Sequence, residues 1–183
     1  MIRTLILSMV IIIAQQAAAQ KYFTRSGHVR FFSAAPLENI EATNNQATCI
    51  VDIETGEVIS KIILKAFQFE KALMQEHFNE NYVESNKYPQ AVLNAKIKNI
   101  EELDFNSNQK QMVVLDGSLT IKDVSQNMII TGEFYKKGNA LVATAQFMVK
   151  PADHNITIPR AVRDNIAQEI EVSLSFNLEE FKR

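Results

Sequence analysis

The second half of the chain alternates apolar and polar residues over three consecutive segments. Residues 112–121, 128–135 and 140–150 each carry apolar or small side chains at every second position, and the positions between them include most of their polar side chains. A period of two is typical of strands with one buried face and one solvent-exposed face. The segments between them, 123–126 and 136–139, contain residues that favour turns. The pattern predicts an antiparallel meander of three strands.

The strands predicted before and after this meander follow the same alternation, with polar interruptions. Residues 21–24 and 28–33 predict either a strand pair or one strand interrupted at 26–27. Residues 40–52 contain a polar run at 43–46 and then predict a strand that ends near Asp52. Further strands are predicted at 58–64, after a turn at 54–57, and at 91–100 and 169–177.

One helix of roughly ten to twelve residues is predicted between residues 69 and 82. Phe69 and Leu73 are four residues apart, as are Met74, Phe78 and Tyr82. This spacing places apolar side chains along one helical stripe. With about eight strands and one short helix, the chain is predicted to be all-β. A sandwich and a closed barrel both fit this element order. Sequential hairpins favour an up-and-down antiparallel barrel, because closure removes exposed sheet edges.

The first 19 residues have the pattern of a signal peptide. Arg3 supplies a positive charge, residues 5–14 form an apolar run too short to span a bilayer, and small residues at 17–19 provide a cleavage site. We therefore expect residues 1–19 to be a signal peptide and residues 20–183 to form one domain. The protein is expected to be exported to the periplasm or the extracellular space.

Composition and charge narrow the range of functions. A hydrophobic content of 46% and a charged content of 22% are typical of one folded, soluble domain. The net charge is −2 and no basic block occurs, so nucleic acid is not an expected partner. Cys49 is the only cysteine, which excludes an intrachain disulfide. It lies in an apolar strand-like segment, where a small buried side chain is expected rather than a reactive thiol.

The sequence contains no pattern that predicts catalysis, a cofactor or a metal site. His28, His77 and His154 are far apart, and only one cysteine is present. No Gly-x-Ser-x-Gly segment occurs, and no Cys–His pairing is indicated. We therefore expect no catalytic residues, no metal ligands and no cofactor.

The predicted inward faces of the strands mix bulky and small residues. Small inward residues leave volume that either a ligand or bulky neighbouring side chains can fill, and the spacing alone leaves both alternatives open. The helical stripe could cap the mouth of the barrel. The candidate ligand-binding residues are Phe69, Leu73, Met74, Phe78, Leu115, Gly117, Leu119, Phe134, Ala143, Ala145, Phe147, Leu174 and Phe176.

Three segments in order resemble a known family. Residues 26–31 (SGHVRF) are similar to its opening Ser-x-Val-x-Phe strand, and residues 73–78 followed by 87–91 (KYPQA) are similar to its helical stretch closed by Tyr-Pro. Residues 117–124 (GSLTIKDV) are similar to its Gly-x-Leu-Thr-Ile-x-Gly-Val stretch, although Asp123 stands where the family often has glycine. The chain thus resembles the YceI-like family of exported lipid- or isoprenoid-binding proteins. The resemblance implies a lipocalin-like, eight-stranded antiparallel β-barrel that holds a long-chain lipid, such as a polyisoprenoid, in an apolar interior.

With this resemblance, we expect a soluble binding protein whose ligand is a polyisoprenoid or a fatty-acid-like lipid. Transient contact with a membrane is compatible with this role, and the oligomeric state is left open. One alternative is a barrel with a side-chain-filled core that acts as an interaction or stress-response protein. A lipid isomerase or cyclase is a less favoured alternative, because it needs a titratable group inside the barrel and the predicted inward positions carry none.

Overall fold

Eight antiparallel strands close into a barrel within residues 21–181, the part of the chain that the computed structural model describes. The predicted signal peptide lies outside these residues. The strands are β1 (Lys21–Ala34), β2 (Asn39–Asp52), β3 (Glu57–Ile63), β4 (Gln68–Phe69), β5 (Gln90–Ile97), β6 (Gln111–Ile121), β7 (Val124–Lys137), β8 (Ala140–Val149) and β9 (Ile170–Glu180). Apart from the two-residue β4, which pairs with β2, each strand pairs with the next along the chain, and β9 pairs with β1. The predicted up-and-down barrel is confirmed.

The helical segment has the predicted length but begins three residues after Phe69, at Ala72. Helix α1 (Ala72–His77) continues into one π-helical turn (Phe78–Tyr82), so Phe69 is not part of it. Phe69 lies in β4, where it pairs with Ala42, and the extended backbone of Lys71 delays the start of the helix. Short 3-10 turns occur at Leu64–Ala66, Ile100–Glu102, Pro151–His154 and Arg160–Val162.

The polar interruptions in the first two strands do not break them. β1 is one strand whose register with β2 shifts between Thr24 and Val29, so the single-strand alternative is confirmed. The polar run at 43–46 lies inside β2, contrary to the prediction. It is tolerated because Asn44 is fully buried and its side chain is satisfied: Nδ2 donates to the Ile63 carbonyl (2.8 Å) and Oδ1 accepts from the Gln46 N–H (2.8 Å).

Two predicted boundaries in the second half are corrected. β5 ends at Ile97 rather than at residue 100, because the Asn99 side chain bonds the backbone of β6 at Met112 and Val114 (both 3.0 Å). The β6–β7 turn is made by Lys122 and Asp123, which have positive φ angles of 50° and 59°. The prediction placed this turn two residues too late, because the segment contains no glycine to mark it.

The two ends of the barrel differ. The lower end, where β9 ends, is packed: Tyr22 and Leu178 are buried there, and the Phe105 ring stacks on Phe134 at 5.0 Å. Cys49 is also buried, and desolvation raises the pKa of its thiol to about 12. This agrees with the expected small buried side chain. The upper end carries α1 and the long connection between β8 and β9.

Candidate ligand-binding cavity

An apolar cavity of about 460 Å³ occupies the upper half of the barrel. It falls within the roughly 300–1,000 Å³ range of small-molecule sites. Its wall is formed by inward side chains two residues apart on successive strands, as the alternation of a half-buried strand requires. The wall residues on the long strands are Val29, Phe31, Ser33, Ile40, Ile62, Ala91, Leu93, Leu119, Ile121, Phe147, Val149, Ile170, Val172 and Leu174. None of these strand positions carries a titratable side chain.

Four phenylalanine rings, here called the aromatic cover, lie between the helix and the barrel. Phe31 is on β1, Phe67 and Phe69 follow β3, and Phe78 is on the π-helical turn. The centroid of the Phe31 ring is 5.3–5.5 Å from those of the other three rings. Phe78 also lies 5.1 Å from Phe69 and 5.6 Å from Phe67. These are distances at which aromatic pairs attract each other, so the cover holds the helix on the mouth.

The connection between β8 and β9 covers the rest of the mouth with apolar side chains at Ile156, Ile158, Val162 and Ile166. Its first turn is held by the buried His154, whose Nδ1 lies 3.0 Å from the Val124 carbonyl and therefore donates to it. Further along, the Ala167 N–H donates to the Ser33 hydroxyl (2.8 Å) and the Leu37 N–H donates to the Asp164 carbonyl (3.0 Å).

Polar side chains that line the cavity gather on the covering segments. Lys71 Nζ lies 2.5 Å from Glu38 Oε1, and this hydrogen bond raises the pKa of Lys71. His77, Tyr82 and Asn165 also face the cavity, and burial raises the pKa of Tyr82. A ligand bound here would contact apolar side chains inside the barrel and polar groups at the mouth.

A separate void of about 60 Å³ lies in the lower half of the barrel. The side chains of Leu93 and Leu174 border both spaces. The lower void is otherwise surrounded by the packed end of the barrel, including Phe134, Phe176 and Cys49.

The structure divides the sequence-predicted site residues into three groups. Phe69, Leu73, Met74, Phe78, Leu119, Phe147 and Leu174 border the upper cavity. Leu115, Phe134, Ala143, Ala145 and Phe176 border only the lower void. Gly117 borders neither: a Cβ at this position would lie 2.1 Å from the Asn94 carbonyl oxygen, so this glycine permits close approach of β5 and β6. Their roles in binding stay predictions.

Several cavity residues were not predicted. Phe31 and Phe67 complete the aromatic cover, and the four apolar residues of the β8–β9 connection close the mouth. The sequence predicts a loop at residues 153–155 and either a connection or a short turn of helix at 160–165, so neither segment was expected to line the cavity. The signal that could have identified the connection is the apolar pairs Ile156/Ile158 and Val162/Ile166 in an otherwise polar segment.

Residues 21–181 contain no cluster of three or more His, Cys, Asp or Glu side chains arranged to hold a metal ion. Over the same residues, no helix has the length and apolar character needed to cross a membrane.

A closed eight-stranded antiparallel barrel with an apolar cavity at one end defines a lipocalin-like barrel. The model of the YceI-like domain family matches residues 18–178, and the chain belongs to this family. The suspected resemblance is thereby confirmed. A search of curated proteins found no significant match.

Solved structures share the fold at low sequence identity. A polyisoprenoid-binding domain from Saccharophagus degradans, described as implicated in plant cell wall breakdown, is 12% identical, with a TM-score of 0.76 over 89% of this chain and 99% of that chain. BcnA from Burkholderia cenocepacia is 16% identical, with a TM-score of 0.67 over 83% and 95%. A YceI protein from Campylobacter jejuni is 13% identical, with a TM-score of 0.57 over 80% and 88%.

Proposed function

We propose that this protein is an exported binding protein that holds one apolar chain lipid, of polyisoprenoid or fatty-acid type, in the upper cavity. The observation that carries the proposal is the apolar cavity of about 460 Å³ inside a closed barrel of the YceI-like family. The description of the Saccharophagus degradans domain as polyisoprenoid-binding supports the same ligand class.

Burial of the chain supplies the affinity. Removing apolar surface from water contributes roughly 25 cal/mol per Å², or about 0.8 kcal/mol per methylene group. The strand wall offers a ligand chain only apolar side chains and the Ser33 hydroxyl, which already accepts a hydrogen bond from Ala167. A polar head group is better satisfied at the mouth, near Glu38, Lys71 and His77. The lipid therefore enters tail first.

The cavity argues against the alternative of a side-chain-filled core. A lipid isomerase or cyclase is less favoured, because the acids and bases that line the cavity, among them Glu38 and His77, lie at the mouth rather than on the inner strand wall. Export follows from the predicted signal peptide at residues 1–19. The lipid would be collected from or delivered to a membrane during transient contact.

Native mass spectrometry of the purified protein, followed by organic extraction, tests the proposal. We expect the protein to carry or take up one apolar chain molecule per barrel. Ala91→Phe places a ring in the cavity from the buried face of β5, takes up part of the space for the chain and should weaken uptake. Val92→Phe places the same ring on the opposite face of the same strand and is the matched control. If the parent stays empty with every chain lipid offered, the proposal is wrong.

A further inference from the structure

The floor of the upper cavity lies at two leucines. Leu93 on β5 is 2% exposed and Leu174 on β9 is 7% exposed, and these two side chains border both the upper cavity and the lower void. They therefore separate about 460 Å³ of open space from about 60 Å³ beneath it.

The barrel below this floor is filled by aromatic side chains. Phe176, on the same face of β9 as Leu174, is 5% exposed. Its ring occupies the place next to Gly27, where a Cβ would come within 2.4 Å of Phe176 Cδ1. Phe134 is 3% exposed and is covered by the stacked ring of Phe105. A chain that reached the floor would find no open path toward the lower end.

The volume of the cavity above Leu93 and Leu174 limits the length of the ligand chain that can lie inside it. A methylene group takes up about as much space as a water molecule, whose share of the liquid is roughly 30 Å³. The upper cavity therefore has room for about fifteen chain carbons. This corresponds to three isoprene units or to a fatty chain of similar length.

We infer that Leu93 and Leu174 limit the bound chain to about fifteen carbons. The inference rests on the proposed function and names the ligand class more narrowly: a single chain of three isoprene units, or a fatty chain of that length. Longer chains bind with the last fifteen or so carbons of their tail inside, and the carbons nearer the head group stay at the mouth.

Linear prenyl alcohols of two, three and four isoprene units test this limit. Their dissociation constants are measured by displacement of a fluorescent fatty acid, below the concentration at which each alcohol aggregates. Each methylene that enters the cavity should improve affinity about fourfold. For the parent protein we expect an improvement of more than tenfold from two units to three, and of less than threefold from three to four.

Truncating either Leu93 or Leu174 should increase the length of chain that fits inside the cavity. Leu174→Ala or Leu93→Ala removes three carbons and joins the lower void to the cavity, which adds about 150 Å³. That is room for about one more isoprene unit, so the four-unit alcohol should now bind more than tenfold tighter than the three-unit alcohol. Leu141→Ala is the matched control: Leu141 is 2% exposed and borders only the lower void, so its truncation should leave the limit unchanged.

The possible outcomes distinguish a failure of the proposed lipid-binding function from a failure of the proposed limit on chain length. If none of the three alcohols binds the parent, the proposed function fails. If they bind and the affinity of the parent still rises more than tenfold from three units to four, the function stands and the length limit is wrong. If Leu141→Ala lengthens the chain that the cavity accepts as much as Leu174→Ala does, the role proposed for Leu93 and Leu174 is also wrong. Should the floor variants fail to fold, the parent series and the milder Leu174→Val decide the question.

Discussion

Replacing Phe78 by alanine should weaken lipid binding more than it weakens the fold. Phe78 lies on the π-helical turn, borders the upper cavity and contacts the other three rings of the aromatic cover. An aromatic side chain buries about 200 Å², and if a quarter of that faces the ligand, its loss removes about 50 Å² of contact. At roughly 25 cal/mol per Å² this is about 1.3 kcal/mol, or a dissociation constant that rises eightfold to tenfold.

The effect of Phe78→Ala on folding should be smaller than that of a core truncation. A fully buried phenylalanine costs about 3–5 kcal/mol when replaced by alanine, but Phe78 is only partly buried at the mouth, so we expect about 1–2 kcal/mol. Phe105→Ala is the matched control, because Phe105 is also partly buried against one aromatic neighbour but lies at the lower end. The assays are urea unfolding and displacement of a fluorescent fatty acid. Equal dissociation constants for Phe78→Ala and the parent, or the same loss of affinity in Phe105→Ala, would refute the reasoning.

Three further predictions concern buried polar groups. Asn44→Ala removes two buried hydrogen bonds and should lower the free energy of unfolding by about 2–3 kcal/mol. The control Asn45→Ala, at an exposed site, should change this free energy by less than ~0.5 kcal/mol in urea titrations. Similar losses in the two variants would contradict this account of Asn44. Burial alone would raise the pKa of Asp52, but the N–H groups of Thr55 and Glu54 and the ammonium of Lys21 outweigh it and hold this pKa below its ordinary value of 3.8. This stabilisation is therefore present above pH 3.8 and is lost as the pH falls through the lowered pKa. In Asp52→Asn, the free energy of unfolding should fall less steeply with decreasing pH than in the parent. Identical pH dependence in the two proteins would contradict this prediction. Because the pKa of Cys49 is about 12, a thiol reagent at pH 8 should label it only as fast as the protein opens, and rapid labelling of the folded protein would show that the site is not closed.

The barrel could be predicted because its strands repeat one simple pattern. Residues 112–121, 128–135 and 140–150 carry apolar or small side chains at every second position, and the structure places three hairpin-connected strands there. The turn at Gly138 was also identified, since its positive φ of 62° suits glycine. The β6–β7 turn was misplaced because Lys122 and Asp123 adopt positive φ without glycine, and an ion pair from Lys122 to Glu84 holds the first of them.

The cavity was harder to predict than the strands. Alternation identifies which face of a strand is buried, but it does not say at which height along the barrel the space lies. Leu119 and Leu115 are four residues apart on the same face of β6, yet Leu119 borders the upper cavity and Leu115 only the lower void. Phe31 was not predicted because its contact with Phe78 joins segments distant in sequence, and Phe67 was not predicted because it lies between the predicted strand at 58–64 and the predicted helix.

A crystal structure of the protein with a bromine-labelled fatty acid of twelve carbons, labelled at its terminal carbon, tests the central claim most directly. The account predicts one anomalous peak inside the upper cavity, above Leu174, with the carboxylate at the mouth near Lys71. Anomalous density confined to the outer surface, or a cavity closed by repacked side chains at saturating ligand, would contradict it.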